Sequence, residues 1–480
     1  MGLSKNQIFL IFRTSSMKLK KEFEELAAAS LGEGVAAKLF SALSSSQVAS
    51  SAIRINPEKF AFLSSFLGEG SMEDALELPS LSPITWCEGG YYVNSKTNFT
   101  LSPLFQCGAY YVQDSSSMFL ELLRKQLKSK VEELHRSNVK QLVVLDLCAA
   151  PGGKSTHLIS LVNQICKEVG TLEPLVVCNE AVAKRVGALQ ENIAKWGYDN
   201  VLVTSNYPSE FKRLKEKRFS GFDIILTDVP CSGEGMFRKS GSALEDWSIA
   251  NVNKCARLQK EILSDIWPLL KAGGLLIYST CTYNHLENAD NVRFILEDLG
   301  AENLNASIKE LSEKAGAVPI SKEPLGFQFV PGLINGEGQF FSLVKKRGDG
   351  ASFKALNHKE IILKSLKVLS SDSIVQVKGK DVIPEPEFAL SIKILKELSA
   401  YRQGKERGLV FSALDVSKEM ALKYLRKETM TPSEIAQGSE PLPLGYILLT
   451  YKQLPLGFIK NLGNRINNLL PNNRRILSRI

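Results

Sequence analysis

Between Gln141 and Ser279 short apolar runs alternate with amphipathic stretches, and this alternation restricts the fold more than any other feature of the chain. Gln141–Cys148, Pro174–Cys178, Val201–Thr204, Phe222–Asp228 and Gly274–Ser279 read as strands. Between them lie helical patterns over Lys154–Lys167, Val182–Trp196 (ended by Gly197) and Ser248–Leu270, the last broken late at Pro268. Strands that are apolar at every position are buried on both faces, and strands separated by helices run parallel. The expectation is an α/β fold, a parallel sheet covered by helices. The runs Phe327–Val330 and Gln339–Val344 are expected to close it as a hairpin.

Three segments at the strand ends carry the chemistry. Cys148-Ala149-Ala150-Pro151-Gly152-Gly153-Lys154 follows the first strand and opens a helix. Its glycines permit close backbone approach to a ligand, and the helix N-terminus offers free N–H donors. The loop is neither GxxxxGK[ST] nor G-x-G-x-x-G. Glu180 lies just past the second strand, where an acid in such sheets accepts hydrogen bonds from ribose hydroxyls. Asp228-Val229-Pro230-Cys231-Ser232 and Ser279-Thr280-Cys281-Thr282 each end a strand with a cysteine. Cysteine is most often a core residue. The run Ser232-Gly-Glu-Gly235 nevertheless puts Cys231 in a loop, and Cys281 is flanked by two threonines. A cofactor loop with two thiols at one sheet edge implies group transfer through a covalent protein–substrate adduct.

A chain of 480 residues is too long for one core, and about three domains are expected. Its 59 Lys and Arg against 51 Asp and Glu give a net charge of +8, which favours a polyanionic partner. Eight cysteines without CxxC spacing fit neither a disulfide framework nor a zinc site, so no metal is expected. Free thiols suit a reducing cytosol. The apolar run Gln7–Phe12 is too short for a signal segment, and no run reaches the roughly 18 residues of a membrane span. A soluble, cytoplasmic protein without membrane contact is expected.

Residues 1–16 differ in pattern from the rest of the chain, and Met17, where a helical pattern begins, reads as a possible true start. That pattern continues to about Phe66, interrupted by Ser44–Ser51 and the strand-like Ile53–Pro57. Pro79–Pro103 reads as strands and turns, and Asp114 with three serines caps a further helix. Arg347–Gly350 reads as a linker. Beyond it a helix falls within Glu385–Arg402 and strands over Val410–Val416, Tyr446–Tyr451 and Gly457–Ile459, with Pro455 as a separator. From Tyr451 onward there is no acid but six cations: Lys452, Lys460, Arg465, Arg474, Arg475 and Arg479.

Asp146-Leu-Cys-Ala-Ala-Pro-Gly-Gly-Lys-Ser-Thr156, Asp228-Val-Pro-Cys-Ser-Gly-Glu-Gly235 and Ser279-Thr-Cys-Thr-Tyr-Asn-His-Leu-Glu-Asn288 together resemble the NOL1/NOP2/Sun family of S-adenosylmethionine-dependent RNA cytosine-5 methyltransferases. Gly336-Glu-Gly338 with Phe340-Phe341 is similar to the strand pair after its last motif. Trp86–Tyr92 and Gly108–Ser117 are similar to its pre-catalytic region. Gly445–Lys452 and Leu456–Arg465 resemble the PUA-like domain of its bacterial small-subunit methyltransferase F group. The likeness spans nearly the whole chain after residue 17. It implies a Rossmann-like methyltransferase sheet with an N-terminal helical and α+β extension and a C-terminal PUA-like RNA-binding domain. The expected division is a 1–16 extension, an RNA-binding and pre-catalytic region over 17–110, a catalytic domain over 111–346, and a C-terminal region over 352–480 with the PUA-like domain from about 405.

The resemblance also implies roles. Cys281 is the thiolate that adds to cytosine C6, Cys231 assists release, and Asp228 meets the N3/N4 edge of the base. Lys154 either lowers a thiol pKa or holds the target nucleotide. S-adenosylmethionine lies across Cys148–Lys154, reaching Asp228, with its ribose on Glu180. On the adenine side, where the family often carries an acid, this chain offers Asn206 and Tyr207. The expected partner is RNA, either ribosomal RNA or the small ribosomal subunit, with a monomeric protein and no DNA. Three alternatives stand beside this: attack by Cys231, as in DNA cytosine methyltransferases; the same chemistry on tRNA; and a non-catalytic RNA-binding assembly factor.

Overall fold

Five parallel strands form the centre of the molecule, in the spatial order Leu270–Thr280, Phe222–Asp228, Gln141–Asp146, Glu173–Asn179, Val201–Thr204. Successive side chains on a strand point to opposite faces. Val143 and Leu145 accordingly join one apolar cluster with Val177, Ile225 and Leu276. Leu142 and Val144 join another with Val176, Ile224 and Ile277. Burial on both faces is why these strands are apolar without interruption. Helix Gly153–Val169 covers the second face with Leu158, Leu161 and Ile165, and helix Ile249–Ile266 covers the first with Ile262 and Leu263. Strand Gln339–Lys346 lies antiparallel to Leu270–Thr280 and pairs in turn with Phe327–Phe329, which is the expected hairpin.

The coordinates are a computed structural model, which describes residues 19–45, 49–66, 70–170, 172–239, 241–348, 357–369, 375–378, 381–402, 411–436 and 441–477. The 1–16 extension, the start at Met17, the end of the linker at Gly350, Val410 and Arg479 lie outside these residues. No helix among the described residues is long and apolar enough to cross a membrane.

Two further sheets flank the centre. The N-terminal one runs Leu81–Pro83, Gly90–Val93, Ser51–Ile55, Tyr110–Val112. Its last strand pairs Ile53 with Val112, so the division expected at 110/111 falls inside a strand. The C-terminal one runs Ser412–Asp415, Gly445–Tyr451, Leu454–Asn461, Ile466–Asn468. Pro455 sits within its third strand, opposite a register shift between Leu449 and Thr450, rather than separating two strands. A β-bulge is one of the few strand positions that tolerates proline. Both flanking sheets contribute to a single apolar cluster containing Ile53, Tyr110, Ile447 and Phe458.

All three units meet at the end of helix Ala183–Trp196. Its terminal carbonyls lack partners within the helix, and other regions supply them. Lys59 Nζ donates to Lys195 O at 2.6 Å, Asn56 Nδ2 to Trp196 O at 2.9 Å, and Ile392 N to Gly197 O at 2.7 Å. Gly108 passes so close that a Cβ there would lie 2.0 Å from Lys195 O.

The catalytic sheet extends past the boundary expected near 346. Helix His358–Ser365 places His358 between Ser220 Oγ (2.7 Å) and Gln141 Oε1 (2.9 Å). The following residues run antiparallel along the outer strand, with Leu369 N donating to Val203 O and Ser205 N to Lys367 O. Residues 357–369 thus pack as part of the catalytic unit. Ile362 and Leu366 join the core of that unit, and the sequence did not reveal the pairing because only a short backbone stretch makes it.

Candidate functional site

The sheet order reverses between Gln141–Asp146 and Phe222–Asp228, since the first strand's neighbours are the second strand on one side and the fourth on the other. Ligands of open α/β sheets bind at the carboxyl ends beside such a reversal. The cofactor loop leaves the sheet there, turning at Gly152 (φ +112°) into the helix that starts at Gly153. Beneath it, Asp146 Oδ2 accepts from Ser155 Oγ at 2.6 Å, while the buried Oδ1 has no hydrogen-bond partner. Burial pushes the Asp146 carboxyl up to about 7.

Glu180 lies at the end of the second strand, as expected, and is buried. Its Oε1 accepts from Val182 N at 2.8 Å; Oε2 lies 3.3 Å from Arg185 Nη1 but receives no hydrogen bond. Two buried carboxylate oxygens without donors, one under the loop and one beside it, are what a ligand bearing hydroxyl or ammonium donors would satisfy. The residues therefore fit S-adenosylmethionine. Arg185, which the sequence reading did not single out, also donates to Ala150 O at 2.6 Å and braces the loop. The adenine side differs from expectation. Asn206 is buried, its side chain accepting from Lys367 N at 3.0 Å and donating to Lys367 O, whereas Tyr207 is exposed. Asn206 anchors the added edge segment instead of facing a base. The Cys148 thiol is raised well above its ordinary value by burial and by Asp146, which keeps it protonated.

The two other cysteines meet. Cys231 Sγ and Cys281 Sγ are 3.2 Å apart, both partly exposed. Hydrogen bonding from Cys231 and the nearby Lys154 charge hold Cys281 below the ordinary thiol value, against burial and Asp228. The same hydrogen bond, with burial, drives Cys231 well above it. The contact itself allows either sulfur to donate; these opposed shifts favour Cys281 as the thiol that ionises, and thiolate is the nucleophilic form. Lys154 Nζ donates to Asp228 Oδ2 at 2.9 Å. Burial opposes the lysine charge, but Asp228 more than offsets it and its pKa is raised.

Loop closure around the thiols rests on two buried acids. Glu287 accepts from Ser232 N (2.9 Å), Gln259 Nε2 (2.8 Å) and Asn284 Nδ2 (2.8 Å). Glu234 accepts from Trp247 Nε1 (3.0 Å), Asn284 Nδ2 (2.8 Å) and Tyr283 N (2.7 Å). Gly235 N donates to Cys281 O at 2.8 Å, and a Cβ at Gly235 would lie 2.9 Å from that oxygen, so the Ser-Gly-Glu-Gly run needs its second glycine. Phe23 of the N-terminal helix packs edge-on against Phe237 and Trp247 behind these loops.

The expectation of a basic tail unopposed by acids changes. Of the C-terminal cations, Lys452 pairs with Glu77 (3.2 Å), Arg474 is buried and donates to Gln106 O, and Arg475 donates to Arg426 O. Lys460, stacked over Tyr446 at 4.6 Å, and the exposed Arg465 remain turned outward. Cys87, Glu121 and His157 do converge as a set of metal-ligand type. Glu121, however, is already engaged by His157 (3.2 Å) and Arg124 (3.3 Å), and burial raises the Cys87 thiol to about 12.

Comparison with known proteins agrees with this architecture. Residues 134–345 match the family model of the 16S rRNA methyltransferase RsmB/F, 19–115 that of the N-terminal domain of 16S rRNA methyltransferase RsmF, and 411–476 that of the methyltransferase RsmF PUA domain. A relative from Photobacterium profundum named ribosomal RNA small subunit methyltransferase F is 27% identical over 459 residues, covering 87% of this chain and 89% of its own. One of the same name from Vibrio parahaemolyticus is 29% identical over 439 residues, covering 82% and 85%. The crystal structure of a methyltransferase homologue from Pyrococcus horikoshii shares the fold, with a TM-score of 0.51, 20% identity, and coverage of 72% of this chain and all of that one. Three matches to one group, in chain order and spanning more than three quarters of the sequence, fall on the three units that the sheets define, and the chain belongs to the RsmB/F family of methyltransferases.

Proposed function

We propose that this methyltransferase transfers the S-adenosylmethionine methyl group to C5 of a cytosine in small-subunit ribosomal RNA, through a covalent adduct between Cys281 and C6. The observation that carries the reading is the thiol pair, 3.2 Å apart at the carboxyl end of the sheet, with the charge of Lys154 acting on Cys281. Cytosine C5 is a weak nucleophile, and addition of the Cys281 thiolate at C6 makes it electron-rich. Asp228 meets the N3/N4 edge, and Lys154, held by Asp228, offsets the negative charge that the ring acquires. After methyl transfer the C5 proton passes to solvent acting as base, its electron pair restores the C5–C6 double bond, the C6–S bond breaks with Cys281 leaving as thiolate, and Cys231 assists this release. Stacked RNA covers C6, so the target base is presented unpaired or flipped out. The bound cofactor supplies only an electrophilic methyl group. Cys148–Lys154, Glu180 and Asp228 are its proposed contacts, and the fit of Asp146 Oδ1 and Glu180 Oε2 supports that placement.

The proposed partner is RNA rather than DNA, engaged by the N-terminal region and by the PUA-like domain through the outward Lys460 and Arg465, mostly at phosphates. The names of the relatives support ribosomal RNA over tRNA. The protein is proposed to act as a cytoplasmic monomer. Thiol mutants test the mechanism. Cys281→Ser should give neither methylated RNA nor covalent complex, whereas Cys231→Ser should accumulate a protein–RNA adduct that survives denaturing electrophoresis. The reverse pattern would make Cys231 the nucleophile.

A further inference from the structure

The Asp228 carboxylate is more crowded than its place in the thiol site requires. Its Oδ1 accepts from Ser279 Oγ at 2.7 Å and from Gln339 Nε2 at 3.2 Å, and its Oδ2 accepts from Lys154 Nζ at 2.9 Å. The orientation of the Gln339 amide is fixed by a neighbour that can only accept: Nε2 also donates to Thr280 O at 2.8 Å. Its Oε1 faces Ser117 Oγ. Gln339 is buried, and its backbone is pinned in the sheet, paired with Phe329 and adjacent to Phe340, which faces Thr280. One N–H of Gln339 is taken by Thr280 O, and the other faces Asp228 Oδ1 at 3.2 Å, with Phe340 O the more distant alternative at 3.4 Å.

A carboxylate has about four lone-pair directions. Three are filled here, two on Oδ1 and one on Oδ2, which leaves one free on Oδ2. A proton on Oδ1 would oppose the Gln339 amide hydrogen, and a proton on Oδ2 would compete with the Lys154 ammonium. Asp228 therefore meets a base as an acceptor only. Cytosine presents an amino donor at C4 beside a bare N3, where uracil presents a carbonyl oxygen beside an N3–H, so the selection lies in the contact between the free Oδ2 lone pair and the C4 substituent. An acceptor facing an acceptor leaves both unpaired, and that mismatch costs most once a bound base shields the half-buried Asp228 carboxylate from water.

We propose that Ser279 and Gln339 are positioning residues that hold Asp228 as a pure acceptor, so that the site selects cytosine by its 4-amino group against uracil. This rests on the cytosine chemistry proposed above. Ser279 borders the Thr-Cys-Thr motif, but Gln339 belongs to neither thiol segment and reaches the site only because the antiparallel strand returns beside Thr280.

The test is a cycle that crosses protein and base. An unmodified transcript of small-subunit ribosomal RNA is prepared with cytosine or with 2-pyrimidinone, which lacks the 4-amino group, at the position the unaltered protein methylates. The rate of covalent complex formation with saturating S-adenosylmethionine is measured for Cys231→Ser, which retains the adduct and stands for the otherwise unaltered protein, and for Cys231→Ser combined with Gln339→Leu. The analogue's own reactivity cancels across the cycle. Gln339→Leu should slow adduct formation on cytosine about tenfold or more, and loss of the amino group should cost the unaltered protein about tenfold more than it costs the variant. A purely structural role would give equal penalties in both proteins and would overturn the inference. Ser279→Ala, a small deletion, repeats the cycle if Gln339→Leu fails to bind S-adenosylmethionine, with the same two outcomes. A Cys231→Ser protein that traps no cytosine-containing RNA would refute the proposed reaction itself, and this inference with it.

Discussion

One edge of one sheet carries two half-sites that differ in how completely the protein satisfies them. Around the thiols every oxygen of Glu234 and Glu287 is hydrogen-bonded, and the donors come from both cysteine loops and from helix Ile249–Ile266. Around the cofactor loop, Asp146 Oδ1 and Glu180 Oε2 are buried without donors. The first half is built in advance, as fixed dipoles must be if they are not to reorganise during the reaction. The second carries an uncompensated desolvation cost that a ligand relieves, so part of its binding energy is stored in the empty protein. The cofactor half is finished by binding and the thiol half by folding.

The largest effect should come from breaking the thiol half. Glu234→Ala leaves the Trp247 indole and the Tyr283 amide without their acceptor and takes one of several acceptors from the Asn284 amide. Loss of a buried acceptor of several donors costs roughly 3–5 kcal/mol. Denaturant unfolding should show that loss together with abolished methyl transfer. Unchanged stability would mean the half-site is not preformed.

The cofactor half should respond in the opposite sense. Glu180→Ala should weaken S-adenosylmethionine binding in calorimetry about tenfold to a hundredfold, the value of a hydrogen bond to a charged group. The same change should cost the empty protein little, because the loss of the Val182 N–H bond and the Arg185 ion pair is offset by removal of a buried acceptor without a donor. A stability loss as large as that of Glu234→Ala would erase the distinction between the halves.

A smaller and more specific signature is the pH dependence of the empty protein. Burial raises the folded-state pKa of Asp146 from the ordinary 3.8 to about 7. Below the lower value the carboxyl is protonated both folded and unfolded; between the two values only the unfolded chain gives up the proton. Its contribution is therefore fully present below about pH 4 and is lost as pH rises toward about 7. Asp146→Asn should flatten that part of the stability curve. An identical curve for the variant would place the pH dependence elsewhere.

Much of this was legible in the sequence, for identifiable reasons. Val201–Thr204 and Phe222–Asp228 have the limits expected of them because doubly buried strands must be apolar at each position. The thiol pair and the cofactor loop follow from their strand-end positions. What escaped is set by contacts between distant segments. Gln339 meets Asp228 across 111 residues, and Lys452 meets Glu77 in another unit, so a tail without acids of its own is partly neutralised all the same. Arg185 looked like any surface cation on a helix until its carbonyl partner on the loop was placed. Pro455 signals a break by local rules, and the register shift that accommodates it depends on the partner strand.

The backbone pairing of residues 366–369 along Val201–Thr204 bears on how the protein is made. During synthesis the outer strand of the catalytic sheet emerges long before the segment that covers it, and until residue 369 is available Val203 O and Ser205 N lie on an open edge. An uncovered edge is a template for pairing with other chains. The nascent catalytic unit is thus complete only when the ribosome has moved well into the C-terminal region. An expression fragment cut at residue 345, where the catalytic family match ends, would keep that immature edge permanently.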